Sequence, residues 1–204
     1  MRSGSRNLFP DLSGITGILL AAGSARRFGS NKLLHPLLTG VPIAVTAARN
    51  LVAVLPRSIA VVRPGADELA ALLRAEGLEV VVCPNADEGM GASLACAVAA
   101  AGEAQGYLVA LADMPYIRGS SLAAIRDALA AGPALVAPYF RTRRGHPVGI
   151  AGRFRAELLA ASGDEGARQL LEKHAAELVK VPVGDPGVIR DVDTPADLAP
   201  PIST

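Results

Sequence analysis

The sequence predicts a three-layer α/β/α sandwich, built as one domain around a mostly parallel sheet. From residue 15 onward, apolar runs of strand length alternate with Ala- and Leu-rich runs of helical length. The strand candidates are continuous apolar runs, as expected of parallel strands that helices cover on both faces. Hydrophobic residues make up 50% of the 204 residues and charged residues 19%, a balance that suits one well-packed core.

Each element is identified by its composition and by the turn residues that bound it. The strand candidates are 15–21, 59–62, 79–84, 107–112, 134–137, 147–151 and 178–183. The helix candidates are 43–54, 67–76, 92–101, 120–131, 153–161 and 167–174, with a closing helical turn at 194–198. Residues 1–14 are polar and are predicted to be a flexible lead-in, and residues 15–204, which no linker or repeat interrupts, a single domain.

Four loops follow the carboxyl ends of predicted strands, at 22–32, 85–91, 113–118 and 141–145. In open α/β sheets, ligands bind beyond these strand ends. The sequence therefore predicts that the four loops share one cleft.

Composition argues against several classes of partner. The net charge is +1 and aromatic residues make up 3% of the chain, which leaves few stacking platforms for single-stranded nucleic acid. No apolar run reaches the length of a membrane span, so neither nucleic acid nor membrane is expected. Residues 15–22 resemble a signal peptide, but the paired arginines follow the apolar run instead of preceding it. Cys83 and Cys96 lack metal or redox spacing and are predicted to fill the core, which favours a cytoplasmic location.

Charge is distributed unevenly along the chain. No Asp or Glu occurs from residue 12 to residue 66, where the cations are Arg26, Arg27, Lys32, Arg49, Arg57 and Arg63. A basic first part and an acid-containing remainder could meet around an anion and a metal ion. Unevenness of this size also arises by chance.

The first loop combines glycine with positive charge. Gly23 and Gly29 allow close approach to a ligand, and successive backbone N–H groups in such a turn can point at phosphate oxygens. Arg27 and Lys32 add charge in two forms, a guanidinium fork and a compact ammonium. The alternative is an ordinary glycine-rich turn with solvated arginines.

Two known phosphate-binding motifs do not fit this loop. A P-loop needs GxxxxGK followed by Ser or Thr, whereas five residues separate Gly23 from Gly29 and no lysine follows directly. A dinucleotide fingerprint needs GxGxxG and an acid about 20 residues later, whereas Ala25 replaces the middle glycine and the following stretch lacks acids. An NAD-dependent dehydrogenase is therefore disfavoured.

Acidic residues occur in two segments that could bind a metal ion. Asp113 ends an apolar strand in LADMP, where a carboxylate needs a partner or a metal, and Mg²⁺ typically takes one or two carboxylates plus substrate phosphates. Asp191 and Asp193 are two apart and would share one face of an extended strand. The alternatives are a turn or cap role for Asp113, and a cap role for Asp193 on the helix that Thr194 begins.

Three further segments are candidates for ligand contact. NADEGMGASL places Asn85, Gly91 and Ser93 at a helix start, where they could bind a base or phosphate or form a plain cap. RTRRGHPVG carries His146 and is equally a solvated basic loop. SGDEGAR carries Asp164.

The stretch LAAGSARRFGSNK resembles the LAAGxGxRMGxxxK opening of GT-A-like nucleotidyltransferases, which have a Rossmann-like fold. Within these it is most similar to the MobA/MocA group, which attaches a nucleotide to molybdopterin. The matching positions are Leu20, Ala21, Ala22, Gly23, Arg27, Phe28, Gly29 and Lys32. Ala25 departs from the pattern by replacing a glycine, and Phe28 replaces the usual methionine.

The other segments are similar to motifs of the same group, in the same order, from residue 18 to residue 198. LADMP resembles its metal-binding aspartate motif, and the Asp before a TP dipeptide corresponds to Asp193. GMGASL resembles a nucleotide-contacting segment. GHP, with His146, and SGDEGAR, with Asp164, resemble segments on the acceptor side.

The resemblance implies a Mg²⁺-dependent transfer of a nucleotide from an NTP to a phosphorylated acceptor, with release of pyrophosphate. The residues implied are Arg27, Lys32 and Asp113 for catalysis, Asp113 and Asp193 for Mg²⁺, Leu20, Ala21, Ala22, Gly23, Arg27, Lys32, Asn85, Gly91 and Ser93 for the nucleotide, and His146 and Asp164 for the acceptor.

The resemblance also bears on the substrates. Members that use CTP tend to carry LAAG, so Ala22 favours CTP over GTP. Molybdopterin is the expected acceptor, and a molybdoenzyme client or chaperone is a possible partner. The alternatives are a cytidylyl-, uridylyl- or guanylyltransferase acting on a sugar phosphate, and a non-catalytic protein that hands cofactor to a molybdoenzyme.

Overall fold

The structure is a computed structural model that describes residues 14–23, 32–164 and 166–198. Its centre is an eight-stranded mixed sheet in the order β3-β2-β1-β4-β7-β5-β6, with β8 also paired to β5. The strands are β1 (Ile15–Leu20), β2 (Ser58–Val62), β3 (Glu79–Val82), β4 (Gly106–Leu111), β5 (Leu135–Phe140), β6 (Arg143–Arg144), β7 (Val148–Ala151) and β8 (Leu178–Pro182).

Helices cover both faces of this sheet. They are α1 (Ile43–Val52), α2 (Asp67–Ala75), α3 (Met90–Ala101), α4 (Gly119–Ala130), α5 (Arg155–Leu159) and α6 (Arg168–Lys173). Buried residues of α1, α2 and α4 form one core cluster with the sheet, and buried residues of α3, α5 and α6 form the other. The predicted three-layer α/β/α sandwich is therefore confirmed. None of the helices in the described ranges has the length and apolar character that crossing a bilayer requires.

The alternation of side chains along β1 explains how one strand supplies both cores. Leu19 and Ala21 belong to the cluster under α1, α2 and α4, whereas Ile18, Leu20 and Ala22 belong to the cluster under α3, α5 and α6. Successive strand residues point to opposite faces. All six residues of β1 are therefore buried, which is why the strand is mostly apolar and shows no alternation of polar and apolar residues.

The parallel part of the sheet is β3, β2, β1 and β4, and its strands are in consecutive register. β7 is antiparallel to both β4 and β5, and β5 is parallel to β8. This arrangement brings the carboxyl ends of β1 to β4 to one edge. The parallel part of the sheet thus positions the loops that carry the candidate site.

Two details differ from the predictions made from sequence. The loop at 141–145 was predicted to be irregular, but Arg143–Arg144 forms β6, an antiparallel partner of β5. Arg141 has a φ of 56°, which allows the tight reversal between the two strands. Cys83 is fully buried, as predicted, whereas Cys96 is only partly buried. The bounds of the lead-in, 1–14, and of the domain, 15–204, remain predictions.

Candidate active site

A cleft of about 540 Å³ lies at the carboxyl ends of β1 to β4. Its volume is in the range of small-molecule sites. The lining residues are Leu20, Ala22, Gly23, Lys32, Leu33, Arg63, Ala86, Asp87, Gly89, Met90, Ser93, Leu111, Asp113, Asp164 and Asp193. Three of the four loops expected to share a cleft contribute to it. The fourth, at 141–145, does not, because its residues pair with β5 or turn toward Val188.

Lys32 joins the two aspartates predicted to bind metal. Its Nζ donates to Asp113 Oδ2 at 3.0 Å and to Asp193 Oδ1 at 2.8 Å. These residues are separated by 81 and 161 positions in the chain. The side chain of Lys32 is 12% exposed, while those of Asp113 and Asp193 are 27% and 51% exposed. The fold therefore brings a first-loop cation and two distant carboxylates together in the cleft.

The charges of this cluster depend on one another. Burial opposes the charged form of Lys32, but the carboxylates of Asp113 and Asp193 more than offset it and raise the pKa of Lys32 above its ordinary value. Asp191 is exposed as a residue, yet partial burial of its carboxyl group and the neighbouring carboxylates of Asp193 and Asp113 raise its pKa. Negative charge thus accumulates here, and the Lys32 ammonium balances it.

The loop that carries Asp113 is fixed by contacts with three other parts of the chain. Asn50 Nδ2, on α1, donates to the carbonyls of Pro115 and Ile117 at 3.0 and 3.1 Å. Asp185, which is buried, accepts from Ser121 Oγ and from the backbone N–H groups of Arg118 and Gly187. The Val192 N–H donates to the Asp113 carbonyl at 2.8 Å. This last bond brings the segment 191–193 beside β4.

The turn that follows Asp193 has a capping contact from another carboxylate, that of Asp197. Asp197 lies within the 3₁₀ turn Pro195–Leu198. Its Oδ2 accepts hydrogen bonds from Thr194, the residue before the turn, at 2.8 Å from the N–H and 2.7 Å from the hydroxyl. The carboxylate of Asp193 instead contacts Lys32 in the cleft. This contact agrees with the predicted site role of Asp193, and its role as a metal ligand stays a prediction.

The glycines of the GMG segment allow another part of the chain to approach α3. A Cβ at Gly91 would lie 2.5 Å from the Ser162 carbonyl oxygen, and the Gly91 N–H donates to the Gly163 carbonyl at 2.7 Å. At Gly89, which has a φ of 119°, a Cβ would lie 2.7 Å from Asp164 Oδ1. Asp164 lines the same cleft as Asp113.

Several residues predicted to bind nucleotide or acceptor do not line the cleft. Ala21 points to the opposite face of the sheet, and the N–H of Gly91 is used within the protein. Asn85 contacts Glu88 and Cys83 on the surface. His146 is partly buried, its Nδ1 is enclosed without a hydrogen-bond partner, and burial lowers its pKa to about 4. Its imidazole is neutral at physiological pH.

Arg26, Arg27, Phe28 and Gly29 lie outside the described residues, so the roles predicted for Arg27 stay predictions. Of the remaining predicted residues, the cleft is lined by Leu20, Ala22, Gly23, Lys32, Ser93, Asp113, Asp164 and Asp193. The assignment of catalytic and binding roles to them also stays a prediction.

Seven lining residues are not among the predicted site residues, namely Leu33, Arg63, Ala86, Asp87, Gly89, Met90 and Leu111. Arg63 follows β2, Asp87 belongs to the 3₁₀ turn Ala86–Glu88, and Met90 begins α3. Met90 is 41% exposed, unusual for its type. The rule that ligands bind at carboxyl strand ends could have identified Arg63, because it is the first residue after a predicted parallel strand.

The cleft offers carboxylate ligands for a divalent cation. Within the described ranges, no group of three or more His, Cys, Asp or Glu side chains is arranged to hold a metal ion. Asp113 and Asp193 supply two carboxylates, and both contact the ammonium group of Lys32. Mg²⁺ usually takes one or two carboxylates and completes its coordination with substrate phosphates and water. The pair therefore fits an ion that arrives with a nucleotide.

Comparison with known families decides the class of the protein. The family described as MobA-like NTP transferase domain matches residues 17–178. The chain belongs to this family. It is a nucleotidyltransferase, as the sequence predicted, and the matched range includes Lys32, Asp113 and Asp164.

Two characterised proteins are similar to this chain over most of their length. Nicotine blue oxidoreductase of Paenarthrobacter nicotinovorans is 32% identical over 193 residues, which cover 90% of this chain and 94% of that protein. The purine catabolism protein PucB of Bacillus subtilis is 28% identical over 196 residues, covering 90% and 93%.

A solved structure agrees along the same range. The crystal structure of Rv0371c from Mycobacterium tuberculosis superposes with a TM-score of 0.79 at 28% identity, covering 90% of this chain and 95% of that chain. A second crystal structure of Rv0371c, a complex with manganese, superposes with a TM-score of 0.76 at 26% identity and the same coverage.

Proposed function

We propose that this protein transfers CMP from CTP to the phosphate of molybdopterin, with Mg²⁺, and releases pyrophosphate. The observation that carries the proposal is the contact of Lys32 with both Asp113 and Asp193 inside the cleft. The family is that of MobA-like NTP transferases, and the existence of a manganese complex of Rv0371c supports a role for a divalent ion.

The reaction needs little from the protein beyond position and charge. A phosphate monoester has its second pKa near 6, so its oxygen is already anionic at neutral pH and needs no general base. That oxygen attacks the α-phosphorus, the bond from the α-phosphorus to the α,β-bridging oxygen breaks, and pyrophosphate leaves with that electron pair. Catalysis is then alignment and charge neutralisation.

Each part of the cluster has a role in this scheme. Asp113 and Asp193 would hold Mg²⁺, which neutralises phosphate charge. An ammonium group has three donors, and Lys32 uses two of them on the carboxylates. The third can reach a phosphate oxygen of the departing pyrophosphate. Arg27 is proposed to share this role.

The cleft also supports the assignment of base and acceptor. Ala22 is buried and lines the cleft, and its methyl group takes up space that a purine would need. Asp164 lines the cleft and is proposed to contact the acceptor. The cysteines are free thiols, which supports a cytoplasmic location, where a molybdoenzyme client or chaperone would receive the product.

The test is a panel of the four NTPs with molybdopterin, with and without Mg²⁺, in which pyrophosphate release is measured. We expect release with CTP and Mg²⁺ only. Comparable turnover with GTP would refute the base assignment. Release with a sugar phosphate but not with molybdopterin would move the acceptor to that class, and binding without release would indicate a cofactor-handling protein.

One relative favours a second candidate function. The name of the relative from Paenarthrobacter nicotinovorans is that of an oxidoreductase. An NADH oxidation assay with nicotine blue as electron acceptor belongs in the same panel. Because the first turn of this chain lacks the dinucleotide fingerprint, we expect no NADH oxidation above the protein-free control.

A further inference from the structure

Arg63 is a cation in the cleft that the proposed chemistry does not use. It follows the last residue of β2 and lines the cleft. Its Nε is enclosed and has no hydrogen-bond partner, and its guanidinium forms no hydrogen bond or ion pair with any of the described residues. Within the described residues, this guanidinium therefore has donors that no protein acceptor uses.

Other cations from the acid-poor stretch have partners. Arg49 forms two hydrogen bonds with Glu76 at 2.8 and 2.9 Å, and Arg57 donates to the Ala101 carbonyl at 3.1 Å. Lys32 contacts the two aspartates. Among these four, Arg63 is the cation whose donors remain available to a ligand in the cleft.

The sheet register places Arg63 beside Ala22. Leu20 pairs with Val61 in the parallel ladder of β1 and β2, so two positions further along each chain Ala22 and Arg63 are neighbours. Paired residues of a parallel ladder point to the same face, and their backbones are about 4.8 Å apart. Both residues line the same cleft, which agrees with this placement.

Arg63 and the residue Asp113, which Lys32 contacts, lie on opposite sides of β1. In the order β3-β2-β1-β4, Arg63 follows β2 and Asp113 follows β4. Two strand spacings, about 10 Å, separate these strands. If Lys32, Asp113 and the metal ion take the phosphates, the group beside Ala22 and Arg63 is the base.

We infer that Arg63 is a specificity-determining residue that reads the edge of the cytosine base, an inference that rests on the proposed function. The two outer nitrogens of this guanidinium have no acceptor among the described residues, and in this inference they donate to the base as a pair. A pair of parallel donors matches a base edge with two adjacent acceptors. Cytosine offers O2 and N3, and guanine offers O6 and N7. Uracil does not, since its N3–H is a donor between two acceptors.

Ala22 and Arg63 then divide the selection between them. The methyl group of Ala22 limits size and disfavours guanine, while the donor pair of Arg63 disfavours uracil. Adenine fails on both grounds, because it is a purine and its N6 amino group is a donor. The base that meets both conditions is cytosine.

The experiment measures dissociation constants by calorimetry for CTP, UTP, GTP, ATP and inorganic triphosphate, with Mg²⁺ and without acceptor. The variants are Arg63→Ala, Arg63→Lys and, as a matched control at the other end of β2, Arg57→Ala. We expect Arg63→Ala to weaken CTP binding about 10- to 100-fold, the range for one bidentate base contact. Arg63→Lys should not restore it, because a single ammonium cannot replace the fork. Binding of UTP and inorganic triphosphate should change less than about twofold, and Arg57→Ala should match the wild type.

The outcomes separate this inference from the proposed function. Equal weakening of all four NTPs and of inorganic triphosphate would make Arg63 a phosphate contact and overturn the inference, as would unchanged CTP binding. CTP binding that depends on Arg63 without pyrophosphate release would overturn the transfer reaction and leave the base contact standing. Circular dichroism of each variant shows whether the fold is retained.

Discussion

At the scale of single residues, Lys32 determines the balance of charge in the cleft. Its ammonium group lies between the carboxylates of Asp113 and Asp193. Lys32 contacts both, so it supplies positive charge between them before a metal ion arrives. The same lysine then meets a phosphate when the nucleotide enters. Its position therefore serves both the unliganded protein and the reaction.

Replacing Lys32 tests this double role. We expect Lys32→Ala to lower kcat about 10²- to 10³-fold, the usual cost of losing one electrostatic stabiliser of developing charge. The concentration of Mg²⁺ needed for half-maximal rate should not rise, because no metal ligand is lost. Stopped-flow or steady-state release of pyrophosphate at several Mg²⁺ concentrations measures both quantities.

Lys173→Ala provides the matched control for this substitution. Lys173 is on α6 and pairs with Glu157 at 2.8 Å, with 65% of its side chain exposed. It does not line the cleft, so its removal should leave turnover at the level of the wild type. Unimpaired turnover of Lys32→Ala would contradict the catalytic role.

At the scale of elements, the start of α3 and the segment 162–164 form one unit. The two glycines of GMG bring α3 against this segment, and the contact is by backbone on both sides. Asp164 enters the cleft as a result. This part of the cleft thus depends on two glycines that carry no side chain.

Gly91→Ala should break this unit. An added Cβ would lie 2.5 Å from the Ser162 carbonyl oxygen, and neither backbone can move without disturbing the other. We expect a loss of about 1–3 kcal/mol in the free energy of unfolding, the usual cost of overpacking. Urea denaturation followed by circular dichroism measures it, and the KM for the acceptor should rise more than the KM for CTP.

Gly119→Ala is the control that separates crowding from helix propensity. Gly119 begins α4, and a Cβ there would meet no atom within 4 Å. Alanine favours helix over glycine, so this variant should be as stable as the wild type or slightly more stable. If Gly91→Ala were equally harmless, the packing account of the GMG segment would be wrong.

The same elements show what a sequence can and cannot reveal. Continuous apolar runs predicted the parallel strands, and the strand-end rule with LADMP predicted Asp113 at the cleft. The partner of Gly91 could not be predicted, because Ser162 is about 70 positions away and contributes backbone alone. Arg63 belongs to no motif, and the register that places it beside Ala22 becomes evident only when β1 and β2 are paired. A motif within one segment can therefore be recognised in the sequence, whereas contacts between distant segments become evident only in the folded structure.

At the scale of the whole molecule, the cleft joins distant parts of the chain. Lys32 comes from the region after β1, Asp113 from the end of β4, and Asp193 from the last described segment. The hydrogen bond from Val192 to Asp113 brings this last segment back to the centre of the sheet. A ligand that bridges these groups therefore links the two ends of the described chain.

Nucleotide and metal together should stabilise the folded protein. A ligand that binds only the native state at 100 times its Kd adds about 2.7 kcal/mol, which for a chain of this size raises Tm by about 5–10 °C. We expect this shift with CTP and Mg²⁺ in differential scanning calorimetry.

EDTA alone should leave Tm unchanged, because the described residues form no metal site of three or more ligands. Asp193→Asn should lose most of the Mg²⁺-dependent part of the shift, while Asp127→Asn, an exposed carboxylate on α4 paired with Arg126, should keep it. A full shift in Asp193→Asn would mean that the ion is held without the carboxylate of Asp193.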